Sequence, residues 1–286
     1  MTDQRLGFYD VGATPFFACA ADQRFSYCLF VPETYQERGD DVYSLVVAVH
    51  GTDRPASEYR HRLASFAREH KAIILAPLFP GGIGRPGDLH DYKFLDQGGV
   101  RYDLILLAMV DEVSDRYRVD ANRFLLHGFS GGGHFAHRFF YLHAERLAAV
   151  SIGAPGMVTL LDDELPWWVG IEDTHERFGV TVDLDALRTV PVQVVIGGDD
   201  TDTWEITLSP GDRRWMPGAN DAGVTRLDRI ASLRTSLQAA GVEVRHDLIP
   251  GVAHEGFALL PAVEDFFASV IDGASDNSSE TIKRPL

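Results

Sequence analysis

The sequence predicts an α/β protein with a mostly parallel sheet covered by helices on both faces, and three features carry that prediction. Strand-like and helix-like stretches alternate over residues 24–270. Residues 44–50 are almost wholly apolar, as expected of a strand covered on both sides. Leu125-Leu126-His127-Gly128-Phe129-Ser130-Gly131-Gly132-Gly133-His134 then leads from an apolar strand through Gly-x-Ser-x-Gly into a helical pattern.

The elements follow in order. Residues 24–31 are rich in aromatic and branched side chains and close on Pro32, which reads as a strand. After the strand 44–50, residues 56–70 suit a helix with Tyr59, Leu63, Phe66 and Ala67 on one side. Residues 71–76 form the next strand, and Pro77, Pro80, Gly81, Gly82 and Gly84 end it in a long loop. Residues 101–116 carry Leu104, Ile105, Leu107, Ala108 and Val113 at helical spacing. A strand at 123–127 and a helix at 131–147 flank the Gly-x-Ser-x-Gly turn. Further strands are expected at 147–152, 192–196 and 242–249, and helices at 226–240 and 257–270.

No fixed-period repeat and no Pro/Ser-rich linker divides the chain, so residues 1–272 are expected to form one domain. The polar, aperiodic stretch 273–286 reads as a flexible tail. Residues 156–190 are too irregular for one sheet unit and are expected to be a cap-like insertion over the site.

The chain has 286 residues, 45% of them apolar, enough for a sizeable core in one large domain or two small ones. A formal net charge of −16 repels phosphate backbones and anionic membrane surfaces, which argues against nucleic-acid or membrane partners and for a small-molecule substrate. Met1-Thr2-Asp3-Gln4-Arg5 is followed by no apolar run of signal-peptide length, and no stretch is long and apolar enough to span a membrane, so the expected compartment is the cytoplasm. Cys19 and Cys28 fit neither a zinc spacing nor a disulfide framework and read as two buried thiols.

The Gly-x-Ser-x-Gly run has the form of a nucleophile elbow, which makes Ser130 the candidate nucleophile. The same glycines also fit a dinucleotide loop, through Gly131, Gly133 and Ala136. That loop wants an acid at the end of the next strand, and Val150-Ser151-Ile152-Gly153-Ala154-Pro155 has none. Gly-Lys-Ser/Thr is also missing, which excludes a P-loop.

A serine hydroxyl needs a base within hydrogen-bond reach and a carboxylate to orient that base. In an elbow protein they follow in the order Ser, Asp/Glu, His. Gly197-Gly198-Asp199-Asp200-Thr201-Asp202 sets three acids after the strand 192–196, with Asp200 preferred and Asp202 second. Such acids also serve as loop residues and helix caps. His254, in Pro250-Gly251-Val252-Ala253-His254-Glu255-Gly256, stands on a loop before the last helix and is the candidate base. His61, His70 and His143 read as surface or packing residues. His134 and His137 are three apart, but with no Cys or Glu at ligand spacing nearby no metal is expected. The oxyanion requires two amides, assigned to Gly131 and, after His50-Gly51, to Thr52.

On Val49-His50-Gly51-Thr52, Gly128-Phe129-Ser130-Gly131-Gly132, Gly197-Gly198-Asp199-Asp200-Thr201 and the run from Pro250 to Gly256, the chain resembles the α/β-hydrolase superfamily over residues 24–270. The opening strand also resembles the serine esterase branch with polyhydroxybutyrate-depolymerase-like and feruloyl-esterase-like members. The resemblance implies an eight-stranded, mainly parallel sheet, a Ser-Asp-His triad and no cofactor. The superfamily also holds amidases, peptidases and non-catalytic members, which fold does not separate. The expected activity is hydrolysis of a small carboxylic ester, apolar or aromatic, through an acyl-enzyme. Phe129, Trp167, Trp168, Phe178 and Trp204 are the candidate substrate wall, with plain packing as the alternative. An amidase or peptidase with the same triad, and a binding protein that kept only the fold, are the rival readings.

Overall fold

The apolar run before His50 becomes the middle of the sheet. In the computed structural model, which describes residues 5–281, it forms β4 (Tyr43–Val49), flanked by β5 (Ala72–Leu78) and β8 (Val119–Phe129). The remaining strands are β1 (Gly12–Ala13), β2 (Phe17–Ala18), β3 (Ser26–Val31), β9 (Leu147–Gly153), β10 (Val192–Gly197) and β11 (Val244–Ile249). Eight strands lie in the order β1-β3-β5-β4-β8-β9-β10-β11, with β2 paired to β3. Pairing is parallel from β5 through β11 and antiparallel at the β1, β2 and β3 edge, so the sheet is mixed. A separate hairpin, β6 (Asp96–Gln97) with β7 (Val100–Arg101), folds within the loop after β5.

Burial explains the arrangement. Leu45 to Val49, Ile73 to Ala76 and Val194 to Ile196 are almost wholly shielded, which requires helices on both faces. At the far edge β11 carries Arg245, His246 and Asp247, and charges of this kind blunt an exposed strand edge. The helices are α1 (Ala56–Arg62), α2 (Ala64–Glu69), α3 (Tyr102–Arg116), α4 (Gly131–Leu142), α5 (Thr174–Phe178), α6 (Leu184–Arg188), α7 (Arg226–Ala239) and α8 (Gly256–Thr281). Every residue of α4 is buried, so this helix lies inside the molecule rather than on it.

Several expected elements take different bounds. The helix expected over 56–70 breaks at Leu63, whose backbone (φ −82°, ψ 1°) leaves the helical region while its side chain is buried. The helix after Ser130 stops at Leu142, and His143 turns the chain into a short 3-10 turn before β9. His143 is also more than a packing residue: its Nε2 lies 2.8 Å from Oδ2 of the fully buried Asp103. The last helix does not end near Val270. It runs past Gly273 to Thr281, because a helix seeded by packed turns gains one hydrogen bond for each residue added. The end of the expected tail, 282–286, and residues 1–4 lie outside the described residues. Cys19 and Cys28 are both free and buried. Among the described residues no helix is long and apolar enough to cross a membrane.

After β4 the chain moves first to β5 on one side and then, through α3, to β8 on the other. The carboxyl ends of β4 and β8 therefore border the crevice where the winding reverses, the place where open α/β sheets hold ligands. Close backbone approach fixes this junction. A Cβ on Gly132 would stand 2.1 Å from the Val49 carbonyl oxygen, and one on Gly128 would stand 2.0 Å from the Gly132 oxygen. Gly132→Ala must push β4 from α4, and should cost about 1–3 kcal/mol of stability or more. A lower urea midpoint checks this, and a midpoint equal to that of the wild type contradicts it.

Candidate active site

Ser130 occupies the turn between β8 and α4 with φ 54° and ψ −113°, a conformation that costs a non-glycine residue on the order of 1–3 kcal/mol. Its surroundings hold it there. The Ser130 amide donates to Gly153 O at 2.8 Å, and its carbonyl accepts from the His134 amide at 3.0 Å. Gly131 opens α4, so its N–H has no intrahelical acceptor and lies at the positive end of the helix dipole.

β10 and the loop before α8 bring the other two groups together. His254 Nδ1 donates to Asp200 Oδ2 at 2.6 Å, which leaves Nε2 as the nitrogen free for chemistry. Asp200 is 1% exposed, and its second oxygen accepts from Arg226 Nη1 at 3.3 Å. Arg226, itself buried, also donates to the Asp202 carbonyl and to Glu205 Oε2. Of the two candidate acids, the Asp200 carboxylate meets the imidazole, whereas Asp202 is exposed and meets Arg226 through its backbone carbonyl. The Phe129 ring packs 4.6 Å from that of His254, tilted by 34°.

Ser130 borders two adjoining hollows. One is shared with Thr52, Tyr59, Phe129, His254 and Phe257. The other is shared with Thr52, His90, Lys93, His134, Trp204 and Arg214. Thr52 and Ser130 thus border both hollows. The Thr52 hydroxyl accepts from Lys93 Nζ at 2.7 Å, and its carbonyl accepts from Arg54.

The aromatic wall is only partly at the site. Phe129 borders the first hollow, and Trp204, 78% exposed, borders the second; Trp167 and Trp168 line a third hollow that shares His90 and Arg214 with the second, and Phe178 is buried and borders none of the three. Trp167 packs edge-on to Phe178 at 4.8 Å and donates from Nε1 to Phe94 O, while Trp168 Nε1 donates to Arg214 O. Both tryptophans also cover the guanidinium of the fully buried Arg138. Of the expected insertion, Gly156 and Met157 reach the second hollow; residues 204–206, from the loop after β10, form more of its wall. His134 and His137 both hold backbone: His134 Nε2 accepts from the Gly156 and Met157 amides, and His137 Nε2 from the Thr159 amide.

Sequence reasoning missed the charged part of the site. Lys93 is 4% exposed, and burial, aided by Arg214, pushes its pKa down to about 7. Burial likewise lowers His90 to about 3, so that imidazole is neutral. The available signal was a lysine between two aromatics, in Tyr92-Lys93-Phe94, where a loop lysine would ordinarily be solvated.

No family model and no curated protein matches the chain. Solved structures do resemble it. A poly(aspartic acid) hydrolase from Sphingomonas superposes with a TM-score of 0.70 at 22% identity, covering 89% of this chain and 97% of that one. A poly(3-hydroxybutyrate) depolymerase from Bordetella parapertussis gives 0.68 at 23%, covering 85% of each chain. An S-formylglutathione hydrolase from Agrobacterium tumefaciens gives 0.60 at 13%, covering 95% and 98%. The chain has the α/β-hydrolase fold.

Arg226→Met should lower stability by about 3–5 kcal/mol, because it leaves the buried Asp200 carboxylate without its cation. Urea denaturation measures the loss, and a change below about 1 kcal/mol, the size of an exposed pair, contradicts it.

Proposed function

We propose that the protein is a serine hydrolase that cleaves carboxylic esters of small substrates through an acyl-enzyme. The observation that carries this reading is the Asp200–His254 hydrogen bond of 2.6 Å beside a serine held at positive φ. His254 Nε2 takes the Ser130 proton as Oγ attacks the ester carbonyl. The Gly131 and Thr52 amides receive the oxyanion, and Asp200 stabilises the imidazolium. As the carbon–oxygen bond breaks, His254 returns the proton to the departing alcohol, leaving an acyl group on Ser130. Water, deprotonated by His254, then attacks the acyl carbon and releases the acid and Ser130. Similar folds are named for a depolymerase of a polyester and for a ferulic acid esterase, which support ester chemistry; one named for a poly(aspartic acid) hydrolase, whose polymer is joined by amides, supports the amidase reading as the rival. The reading includes no nucleic-acid or membrane partner. The two free thiols, Cys19 and Cys28, are compatible with work in the cytoplasm.

Intact-mass analysis after treatment with a fluorophosphonate should show one adduct that Ser130→Ala abolishes; an adduct that survives the substitution contradicts the assignment. Nitrophenyl esters set beside matched anilides should show the esters turned over faster, and the opposite order would favour the amidase reading. On the best ester, His254→Ala should reduce kcat by about 10⁴–10⁶. Asp200→Asn should cost about 10⁴. Asp202→Asn should stay within about threefold, since its carboxylate makes no contact with the imidazole, and a larger loss there would move the orienting role.

A further inference from the structure

The two hollows beside Ser130 differ in charge. His254 must give its proton to the departing oxygen, so the alcohol part of an ester lies on the His254 side, with Tyr59 and Phe257. The acyl part is left with the other hollow. In a chain of net charge −16, that hollow is bordered by Lys93, Arg214 and Arg226 against the single carboxylate of Glu205.

These cations are not equally engaged. Arg226 is paired with Asp200 and Glu205. Arg214 uses Nε and Nη2 on Asp212, while its buried Nη1 has no hydrogen-bond partner among the described residues. Lys93 forms no ion pair among the described residues. Its ammonium meets two neutral acceptors, Thr52 Oγ1 at 2.7 Å and His90 Nδ1 at 2.9 Å, and retains a third proton to donate. Burying an ammonium without a counter-charge costs several kcal/mol, roughly, and a methionine would fill the same space without that cost. The position is also close to the chemistry: a Cβ on Gly131, the residue after the nucleophile, would stand 2.7 Å from Lys93 Cε.

We infer that the Lys93 side of the cleft receives a carboxylate on the acyl part of the substrate, so that the favoured substrates are half-esters of short dicarboxylic acids. This specificity rests on the ester-hydrolase reading. The carboxylate supplies the charge that Lys93 lacks, and Arg214 adds a second cation. Its arrival also restores the lysine's proton affinity, which burial first and then Arg214, Arg54 and Arg138 depress and Glu205 partly supports, with His90 neutral beside it.

The test is calorimetric binding to full-length Ser130→Ala protein, which cannot turn the ligands over. Monomethyl glutarate is compared with methyl 5-amino-5-oxopentanoate, its neutral amide counterpart. The anionic ester should bind at least about tenfold more tightly, as expected for a charge-assisted hydrogen bond. Lys93→Gln in the same background should bring the ratio to about one. The ratio should also fall as pH rises from about 6 to about 9, because the lysine loses its proton across that interval. Equal affinity for the two ligands in the Ser130→Ala protein overturns the inference, whatever the Lys93 variant does; so does a preference that survives Lys93→Gln. Turnover of the same two esters by the wild-type protein is scored separately. Equal binding with turnover removes the carboxylate subsite and leaves the hydrolase, whereas selective binding without turnover removes the hydrolase and leaves the subsite.

Discussion

The Asp200 carboxylate, shut away from water between Arg226 and His254, is the constraint on which the site depends. An ionised carboxylate in that position is costly unless it is paired and hydrogen-bonded. Arg226 provides the charge and His254 the second bond. Because Asp200 can only accept, His254 must carry its proton on Nδ1, which presents a basic Nε2 to the cleft. One buried acid thus sets the tautomer and the ring orientation, and through Arg226 it ties β10 to the start of α7 and to the loop that bears Glu205.

The serine is placed by a different force. At the β8–α4 turn the glycines remove side chains where backbones meet, and the sheet brings the ends of β4 and β8 side by side. Ser130 therefore keeps its positive φ because two hydrogen bonds and a packed helix hold it, not because serine favours it. The two constraints meet at Phe129, whose ring lies against His254 while its backbone ends β8.

Much of this was legible in the sequence because the signals are local. Ser130, Asp200 and His254 each follow a recognisable strand, and the order of strands and helices places all three at one end of the sheet. The antiparallel edge was less legible, since a strand such as β3 looks the same in either direction. The aromatic wall was less legible for a related reason: Trp167, Trp168 and Phe178 have the composition of a pocket and of a core alike, and the two tryptophans do both, packing on Arg138 while lining a hollow next to the second one. Lys93, Arg214 and Arg226 come from three separate segments, a 3-10 turn, a loop and the start of α7, so no pattern in the chain announced a cationic hollow within an acidic protein. The break at Leu63 and the Asp103–His143 contact are likewise tertiary effects.

For the proposed chemistry, Ser130, His254 and the two amides must act on one reacting centre. A crystal structure of the protein after reaction with a phosphonate ester tests this directly. It should show phosphorus bonded to Ser130 Oγ, one phosphoryl oxygen within hydrogen-bond distance of both the Gly131 and Thr52 amides, and His254 still held by Asp200. Phosphorus on another side chain, or an oxygen facing neither amide, would contradict it.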